Sequence, residues 1–286
     1  MRPPAWKVWW LAARPATLTA SLAPVIAGTA LAHRAGAFRM DVLVLALLGA
    51  ALIQVGTNLA NDYFDFKKGA DNEDRLGPPR VTQKGWVSPE AVRNATIASF
   101  VLATLAGVGL VAIGGWPIAI LGIASIAAGV GYTAGRYALA YLGLGELFVF
   151  AFFGIAAVCA TTYLHGAAIG IDAIAAGAAL GALASAILVV NNLRDRDTDL
   201  KAHKRTLAVR IGSRWTRWQY ALLVALPYAL AAARMWWVPL LTLPLAVALI
   251  RKVNALDGRA LNPLLGHTAK LELAWAALFA VGVSLS

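Results

Sequence analysis

Residues 41–66 read DVLVLALLGAALIQVGTNLANDYFDF, a long apolar run that ends in an acidic cluster. The part from Val42 to Asn61 has the length that a bilayer-spanning helix needs, about 20 mostly apolar residues. Within lipid the backbone must satisfy its own hydrogen bonds, so a helix is the form that such a run adopts. The stretch therefore predicts a membrane helix that carries carboxylates at its end.

The rest of the chain has a similar composition. Of its 286 residues, 60% are hydrophobic and 14% are charged, whereas soluble domains carry about 25% charged residues. The mean hydropathy is +0.69. A soluble globule of this size has no interior large enough for so much apolar surface. A disordered chain, a disulfide scaffold and most soluble enzymes are excluded, and the sequence predicts an all-α, polytopic membrane protein.

Nine runs approach the length of a membrane span. They are Thr17–Ala32, Val42–Asn61, Ala95–Ile113, Ile118–Thr133, Gly145–Tyr163, Ile169–Val190, Tyr220–Ala233, Trp237–Ile250 and Leu271–Leu285. With the N-terminus inside, the outer loops hold only Arg34, Arg39 and Arg234 of the 25 Lys and Arg residues. Because positive charge accumulates on the cytoplasmic side, this pattern predicts nine helices in the inner (plasma) membrane, with the C-terminus outside. The net charge of +11 then reflects topology, and we expect no nucleic-acid partner.

Two acidic clusters lie where apolar runs reach the inner face. In the first, Asn58, Asp62 and Asp65 are spaced i, i+4 and i+7; in the second, Asp195 and Asp199 are spaced i and i+4. Each set shares one face of a helix, where like charges repel and the low dielectric of the membrane boundary strengthens the repulsion. We expect bound cations to relieve it. The clusters open two inner loops, at about 62–94 and 192–219, in a single domain over residues 1–286.

Carboxylate and amide oxygens are hard ligands that suit Mg²⁺ or Mn²⁺. Since Mg²⁺ is usually held by one or two carboxylates together with substrate phosphates, two facing clusters predict a diphosphate site. Nearby cations available for the phosphates are Lys67, Lys68, Arg75, Arg80, Lys84, Lys204 and Arg205. The alternative is a pair of solvated helix ends with mixed-charge loops. Two clusters on the same side, each preceded by Asn residues, favour the metal site.

The patterns Asn58-x-x-x-Asp62-x-x-Asp65 and Asp195-x-x-x-Asp199 resemble the two Asp-rich motifs of the UbiA-type intramembrane prenyltransferases. Further stretches are similar to the branch of that superfamily that prenylates 1,4-dihydroxy-2-naphthoate. These stretches are 61–71, 75–83, 132–135, 143–148, 204–209 and 262–265. The sequence departs from the pattern at Gly69, where the commoner motif has a further Asp, and at His203, where Gly is usual.

The resemblance implies nine helices around a central cavity that opens sideways to the lipid bilayer and is capped by the two inner loops. It implies a polyprenyl diphosphate donor, Mg²⁺ as the cofactor with Mn²⁺ as a substitute, and 1,4-dihydroxy-2-naphthoate as the acceptor. The product would be demethylmenaquinone, formed as the ring carboxylate leaves as CO₂.

The resemblance also assigns roles to residues. Metal ligands would be Asn58, Asp62, Asp65, Asp195 and Asp199. Contacts to the substrates would come from Asn58, Arg80, Lys84, Tyr132, Asn192 and Arg205. For Lys84 and Arg205 the alternative is an ordinary inner-face charge, and for Tyr132 it is an interfacial aromatic anchor.

Two further charged residues have open roles. Glu146 begins the fifth apolar run, where a carboxylate could take a phenolic proton or form a structural pair with Arg136. Arg14 could meet the carboxylate of the acceptor, or it could be a topology charge.

Three other functions are compatible with the composition. A UbiA-type enzyme with another acceptor, such as 4-hydroxybenzoate, a glycerol phosphate, haem or a chlorin, would keep the same metal site. A CDP-alcohol phosphotransferase would concentrate its acidic residues in one motif, whereas this chain divides them between two. A cation-coupled transporter would place charges near the midplane on broken helices, whereas these aspartates lie at the inner face.

Overall fold

The computed structural model describes residues 3–69, 76–135 and 138–285, and every regular element within these ranges is helical, as predicted. The α-helices are α1 (Ala5–Ala13), α2 (Pro15–Arg34), α3 (Met40–Lys67), α4 (Pro89–Gly114), α5 (Trp116–Gly131), α6 (Gly145–Phe150), α7 (Ala157–Leu164), α8 (Ile171–Lys201), α9 (Leu207–Ala233), α10 (Leu243–Ala255) and α11 (Asn262–Ser284). A π-helical segment, Ala151–Ala156, joins α6 to α7, and the 3₁₀ turns Val238–Thr242 and Gly258–Leu261 precede α10 and α11.

Within the described ranges, seven helical segments are long and apolar enough to cross a membrane. They are Pro15–Arg34, Met40–Lys67, Pro89–Gly114, Gly145–Leu164, Ile171–Lys201, Val238–Ala255 and Gly258–Ser284. The other two predicted spans lie in α5, which is apolar but only 16 residues long, and in the second half of α9. The first half of α9 carries Arg210, Arg214 and Arg217, and the backbone leaves helical geometry at Gly212, where φ is 78°.

The centre of the fold is α8. Of the apolar window in this helix, 83% is buried inside the protein, against 17% for α4. Helix α8 packs against α9, α11 and the π-helical segment, and α11 also packs along α2. Exposed Ile97, Val101 and Leu105 on α4 present an apolar face of the kind that contacts lipid. The apolar part of α8, which leads to its acidic end, is therefore held in a well-packed core.

Three glycines let the π-helical segment lie directly on α8. A Cβ atom on Gly154 would be 2.4 Å from the carbonyl oxygen of Gly177, and one on Gly181 would be 2.4 Å from that of Phe150. Real Cβ atoms do not approach backbone so closely, so this contact requires residues without side chains. The contact brings the start of α6, with Glu146, against α8.

Helices α3 and α8 continue through their acidic clusters. Lys67 and Lys201 lie in the last turns, where a cation is favourable to the helix dipole. The four aspartates are therefore fixed on helices rather than carried by loops. Residues 192–219 were predicted as a loop, but only 202–206, between α8 and α9, lie outside a helix. The other predicted loop, 62–94, contains a turn at 81–85. Asp71, Asp74, Arg75 and Arg136 lie outside the described residues.

Candidate active site

The ends of α3 and α8 flank a cavity of about 170 Å³, here called the polar cavity. Helix α3 contributes Asn58 and Asp65 to its wall, and α8 contributes Asn191 and Asn192. The remaining polar lining residues are Arg14, Thr17, Gln54, Thr57, Asn61, Arg80, Tyr132, Thr133 and Lys204. Of the four predicted aspartate ligands, Asp65 lines this cavity and Asp62, Asp195 and Asp199 do not. The cavity thus brings together residues of α3 and α8 that are far apart in sequence.

The first acidic motif is held by the turn that follows it. The backbone N–H of Val81 donates to Oδ2 of Asp62 at 3.2 Å. The hydroxyl of Tyr141 donates to Oδ1 of Asp65 at 3.4 Å, and Nη2 of Arg80 lies 3.6 Å from Oδ2 of the same carboxylate. Asp62, Asp65 and Arg80 are all buried. The turn therefore places a buried guanidinium at the cavity beside the carboxylates.

The second motif is held by its own neighbours. Both carboxylate oxygens of Asp195 accept hydrogen bonds from Arg194, at 2.8 and 2.5 Å. Nζ of Lys204 lies 3.6 Å from Oδ1 of Asp199. The same Nζ lies 5.8 Å from the centre of the Tyr141 ring, and the hydroxyl of Tyr141 donates to Asp65. The motifs on α3 and α8 are therefore linked through Lys204 and Tyr141.

Two carboxylate oxygens are available for a divalent cation. Oδ1 of Asp62 and Oδ2 of Asp199 are buried, and no hydrogen-bond donor reaches them within the described ranges. A buried carboxylate oxygen is costly without a partner, and such hard oxygens suit Mg²⁺. No group of three His, Cys, Asp or Glu residues in these ranges could hold a metal ion alone. The donor set fits Mg²⁺ shared with the oxygens of a ligand, rather than a closed protein cage.

Asn58 points toward the start of the chain. Its Nδ2 donates to the carbonyl oxygen of Ala13 at 2.9 Å and to Oγ1 of Thr17 at 2.8 Å, and its Oδ1 accepts from Nε2 of Gln54 at 3.3 Å. Nη2 of Arg14 donates to the carbonyl oxygen of Asn58 at 3.3 Å. Asn58 therefore joins α3 to the α1–α2 junction.

The predicted phosphate-binding cations divide into two groups. Arg80 and Lys204 line the polar cavity, whereas Lys84 and Arg205 are exposed and are not part of its wall. Lys68 donates to the carbonyl oxygens of Thr133 at 2.7 Å and Gly135 at 2.8 Å. Burial lowers the pKa of Lys68, because its ammonium group loses hydration.

Glu146 lies behind the wall of the polar cavity. Its Oε1 accepts from Nδ2 of Asn192 at 2.9 Å, and its backbone carbonyl accepts from the hydroxyl of Ser185 at 3.0 Å. Asn192 lines the cavity and Glu146 does not. The residue predicted as a base thus contacts the site through Asn192. Tyr132 lines the cavity directly.

Two apolar cavities continue from the polar one. The first, about 150 Å³, shares Tyr132, Val149 and Phe153 with it and is also lined by Phe148 and Phe152; we call it the aromatic cavity. The second, about 450 Å³, is lined between α3, α4, α5 and α7 and is called the apolar cavity.

The apolar cavity extends the path to the surface of the molecule. It shares Ala50, Ile53 and Leu121 with the aromatic cavity. Its wall includes Val108 and Ile123, which are exposed on the outside of α4 and α5. The three cavities together can hold a ligand with an anionic head and a long apolar tail.

Comparison with known proteins identifies the family. Residues 21–263 match the UbiA prenyltransferase family. The chain belongs to this family. It is 39% identical over 295 residues to the 1,4-dihydroxy-2-naphthoate octaprenyltransferase of Escherichia coli K12, covering 98% of this chain and 96% of that one. It is 40% identical over 275 residues to the enzyme of the same name from Mycobacterium tuberculosis H37Rv, covering 94% of each.

The fold of this UbiA family member is also that of a solved relative. A UbiA homolog from Archaeoglobus fulgidus, bound to GPP and Mg²⁺, superposes with a TM-score of 0.67 over 98% of this chain and 100% of that chain, at 19% identity. The predicted membership of the UbiA-type prenyltransferases is confirmed by the family match over residues 21–263.

Several residues at the site of this UbiA family member were not predicted from sequence. They are Gln54, Asn61, Thr133 and Arg194. Oδ1 of Asn61 accepts from the hydroxyl of Thr133 at 2.8 Å, which ties α3 to the loop after α5. A signal for Gln54 was present, because polar groups inside an apolar span are rare and this one lies one helical turn before Asn58. The partners of Thr133 and Arg194 depend on tertiary contacts.

Proposed function

We propose that the protein transfers a polyprenyl group from polyprenyl diphosphate to 1,4-dihydroxy-2-naphthoate, giving demethylmenaquinone and CO₂. The observation that carries the proposal is the continuity of the polar cavity, with acidic motifs on both sides, and two apolar cavities that reach an exposed face. The names of relatives that share 39% and 40% of their residues with this chain support the acceptor.

The diphosphate binds at the polar cavity. Arg80 and Lys204 contact its oxygens, with Tyr132 beside them. Asp62, Asp65, Asp195 and Asp199 would hold Mg²⁺, or Mn²⁺ in its place, and Asn58 would complete the set from α3. Bound Mg²⁺ would neutralise the negative charge that develops on the departing diphosphate. The exposed Lys84 and Arg205 attract the anionic head of the donor to this face of the protein.

The apolar walls protect the reacting allylic carbon. When its bond to the diphosphate oxygen breaks, the electron pair leaves with the diphosphate and the carbon becomes cationic. The aromatic faces of Phe148, Phe152 and Phe153 stabilise this positive charge, and the cavity excludes water that would quench it. The carbon of the electron-rich naphthoate ring that bears the carboxylate then forms the new bond, and loss of CO₂ from this carbon returns an electron pair to the ring.

Other residues on the wall of the polar cavity orient the acceptor. Arg14 meets its carboxylate, as the position of this cation on the cavity wall supports. Glu146 positions the cavity-lining Asn192, which contacts the ring of the acceptor.

The membrane arrangement follows from the distribution of charge. Nine spans in one domain over residues 1–286 cross the plasma membrane, with the N-terminus and the polar cavity on the cytoplasmic side. The position of Lys67 and Lys201 at the acidic ends of α3 and α8 supports this orientation.

The test uses purified protein in nanodiscs with Mg²⁺, a polyprenyl diphosphate and carboxyl-labelled 1,4-dihydroxy-2-naphthoate. We expect release of labelled CO₂ together with the prenylated quinol. Asp62→Asn and Asp195→Asn should lower the rate by at least about 10²-fold. The matched control is Asp41→Asn, because Asp41 lies at the opposite end of α3 and pairs with Arg39 on the surface.

The possible results separate the alternatives. If 4-hydroxybenzoate is prenylated and no labelled CO₂ is released from 1,4-dihydroxy-2-naphthoate, the proposed acceptor is excluded. The proposed metal site would still stand. Absence of diphosphate turnover with every acceptor would contradict the proposal and favour a transporter.

A further inference from the structure

Gln54 is a buried polar residue on α3 with a position in the cavity wall. The residue is 7% exposed, and it lines the polar cavity beside Arg14, Thr17 and Asn58. It lies on the side of the α1–α2 junction, one helical turn before the first acidic motif. Neither a metal ligand set nor a phosphate-binding role requires an amide at this place.

The neighbouring hydrogen bonds fix the orientation of the Gln54 amide. Nδ2 of Asn58 donates to the carbonyl oxygen of Ala13 at 2.9 Å. A carbonyl oxygen can only accept, so Oδ1 of Asn58 must face the other way. That oxygen accepts from Nε2 of Gln54 at 3.3 Å, and the same Nε2 donates to Oγ1 of Thr17 at 3.1 Å.

Thr17 completes the assignment. Its hydroxyl proton is donated to the carbonyl oxygen of Arg14 at 2.9 Å, so Oγ1 can only accept from Gln54 and Asn58. Both amide protons of Gln54 are consequently used, and its Oε1 is the remaining group. Oε1 is buried, and no donor from the described ranges reaches it. A buried carbonyl oxygen without a donor is destabilising, and a ligand hydroxyl in the cavity would supply one.

We infer that Gln54 is a specificity-determining residue that accepts a hydrogen bond from a ring hydroxyl of the aromatic acceptor. The inference rests on the proposed function and extends it to one atom of the acceptor. Arg14 lies on the same wall and binds the carboxylate of the acceptor. The hydroxyl adjacent to that carboxylate is satisfied internally, because it donates to the carboxylate itself. Gln54 therefore binds the hydroxyl on the opposite side of the ring, the 4-hydroxyl of 1,4-dihydroxy-2-naphthoate.

The first measurement needs only the wild-type protein. Binding of 1,4-dihydroxy-2-naphthoate is compared with binding of 1-hydroxy-2-naphthoate, which keeps the carboxylate and loses the 4-hydroxyl. Each is measured anaerobically in nanodiscs, the second compound as an inhibitor competitive with the first. We expect the loss of the hydroxyl to weaken binding by about 10- to 100-fold. Equal affinities would overturn the inference without any variant.

The second measurement assigns the difference to Gln54. In Gln54→Met the side chain keeps its length and loses the carbonyl oxygen, so the affinity ratio of the two compounds should fall close to one. Gln219→Met is the matched control, because it makes the same replacement on α9 at a glutamine that does not line the polar cavity. The control should leave both affinities and their ratio unchanged.

The outcomes distinguish this inference from the proposed function. A ratio that stays high in Gln54→Met would overturn the role of Gln54 while the wild-type enzyme still releases CO₂. A raised KM for the polyprenyl diphosphate, with an unchanged acceptor ratio, would also overturn it and assign Gln54 to the donor. If wild-type protein neither binds nor converts the naphthoate, the proposed function itself fails.

Discussion

Arg194 in α8 donates a hydrogen bond from Nη1 to Oδ1 of Asn262, at the start of α11, over 2.9 Å. Asn262 in turn donates from Nδ2 to the carbonyl oxygen of Leu76 at 2.9 Å. The same guanidinium binds both oxygens of Asp195. One buried arginine thus connects the second acidic motif with the segment that leads to Arg80. The positions of the two halves of the site are coupled through this contact.

Replacement of Arg194 tests its role as the counter-charge of Asp195. Arg194→Met leaves a buried carboxylate without its partner, which typically costs about 3–5 kcal/mol of unfolding free energy. Mg²⁺ should restore part of the loss, because the cation replaces the missing positive charge beside Asp195. Thermal unfolding in detergent, with and without Mg²⁺, measures both effects.

Arg196→Met is the matched control for this experiment. Arg196 pairs with Asp197, whose side chain is 75% exposed, and a surface pair contributes about 0–1 kcal/mol. Equal losses in the two variants would contradict the assigned role, as would a stabilisation by Mg²⁺ no larger in Arg194→Met than in the wild type.

The contact between Asn262 and Leu76 is expected to hold the turn that carries Arg80. In Asn262→Ala this hydrogen bond is lost, so amide hydrogens in residues 76–88 should exchange faster. Hydrogen exchange followed by mass spectrometry measures the change directly. Asn254→Ala is the control, because its Nδ2 donates to the carbonyl oxygen of Ile250 on the surface of α10. Unchanged exchange in residues 76–88 would show that other contacts hold the turn.

Much of the architecture could be predicted because bilayer insertion imposes simple rules on a sequence. Run length and composition predict helices, and the spacing of Asn58, Asp62 and Asp65 places them on one helix face. The residues at which each helix begins and ends were harder to predict from the sequence. Helices α3 and α8 continue through their charged ends, and the first half of α9 is helical although its arginines resemble those of a loop.

The partners of individual charges could not be predicted from the sequence. Arg194 looks like one more inner-face cation until α11 brings Asn262 to it from 68 residues away. Lys84 and Lys204 are indistinguishable by composition, yet only Lys204 lines the polar cavity. Which side chain faces a cavity depends on how the helices pack against each other. No local pattern in a single sequence reveals this packing.

Arg80 is expected to bind the donor through the shape of its guanidinium as well as its charge. It is buried beside Asp65, and a planar fork binds phosphate oxygens in pairs where an ammonium group acts as a point charge. Arg80→Lys should raise the KM for polyprenyl diphosphate by about tenfold and leave the KM for the naphthoate unchanged. Steady-state kinetics with each substrate varied in turn provide the measurement.

Arg93→Lys controls for the loss of a guanidinium elsewhere on the same face. Arg93 is exposed on α4 and bonds the neighbouring Asn94, so its replacement should leave both KM values unchanged. An effect of Arg80→Lys on kcat alone, with the KM for the donor preserved, would argue against a diphosphate contact.

The close approach of Gly154 to α8 is expected to be essential for both stability and the site. In Gly154→Ala the new Cβ atom would lie 2.4 Å from the carbonyl oxygen of Gly177, so the π-helical segment must move away from α8. Such overpacking costs about 1–3 kcal/mol, and thermal unfolding in detergent should show a lower Tm. Activity should fall as well, because the same segment holds Glu146 against Asn192.

Gly266→Ala is the matched substitution, since a Cβ atom there meets nothing within 4 Å. Replacement of a helical glycine without strain stabilises by about 0.4–1 kcal/mol, so its Tm should stay the same or rise. If Gly154→Ala had the same Tm as the wild type, α6 and α7 could move away from α8 without a loss of stability. If activity also persisted, the contact between Glu146 and Asn192 would not depend on this close packing.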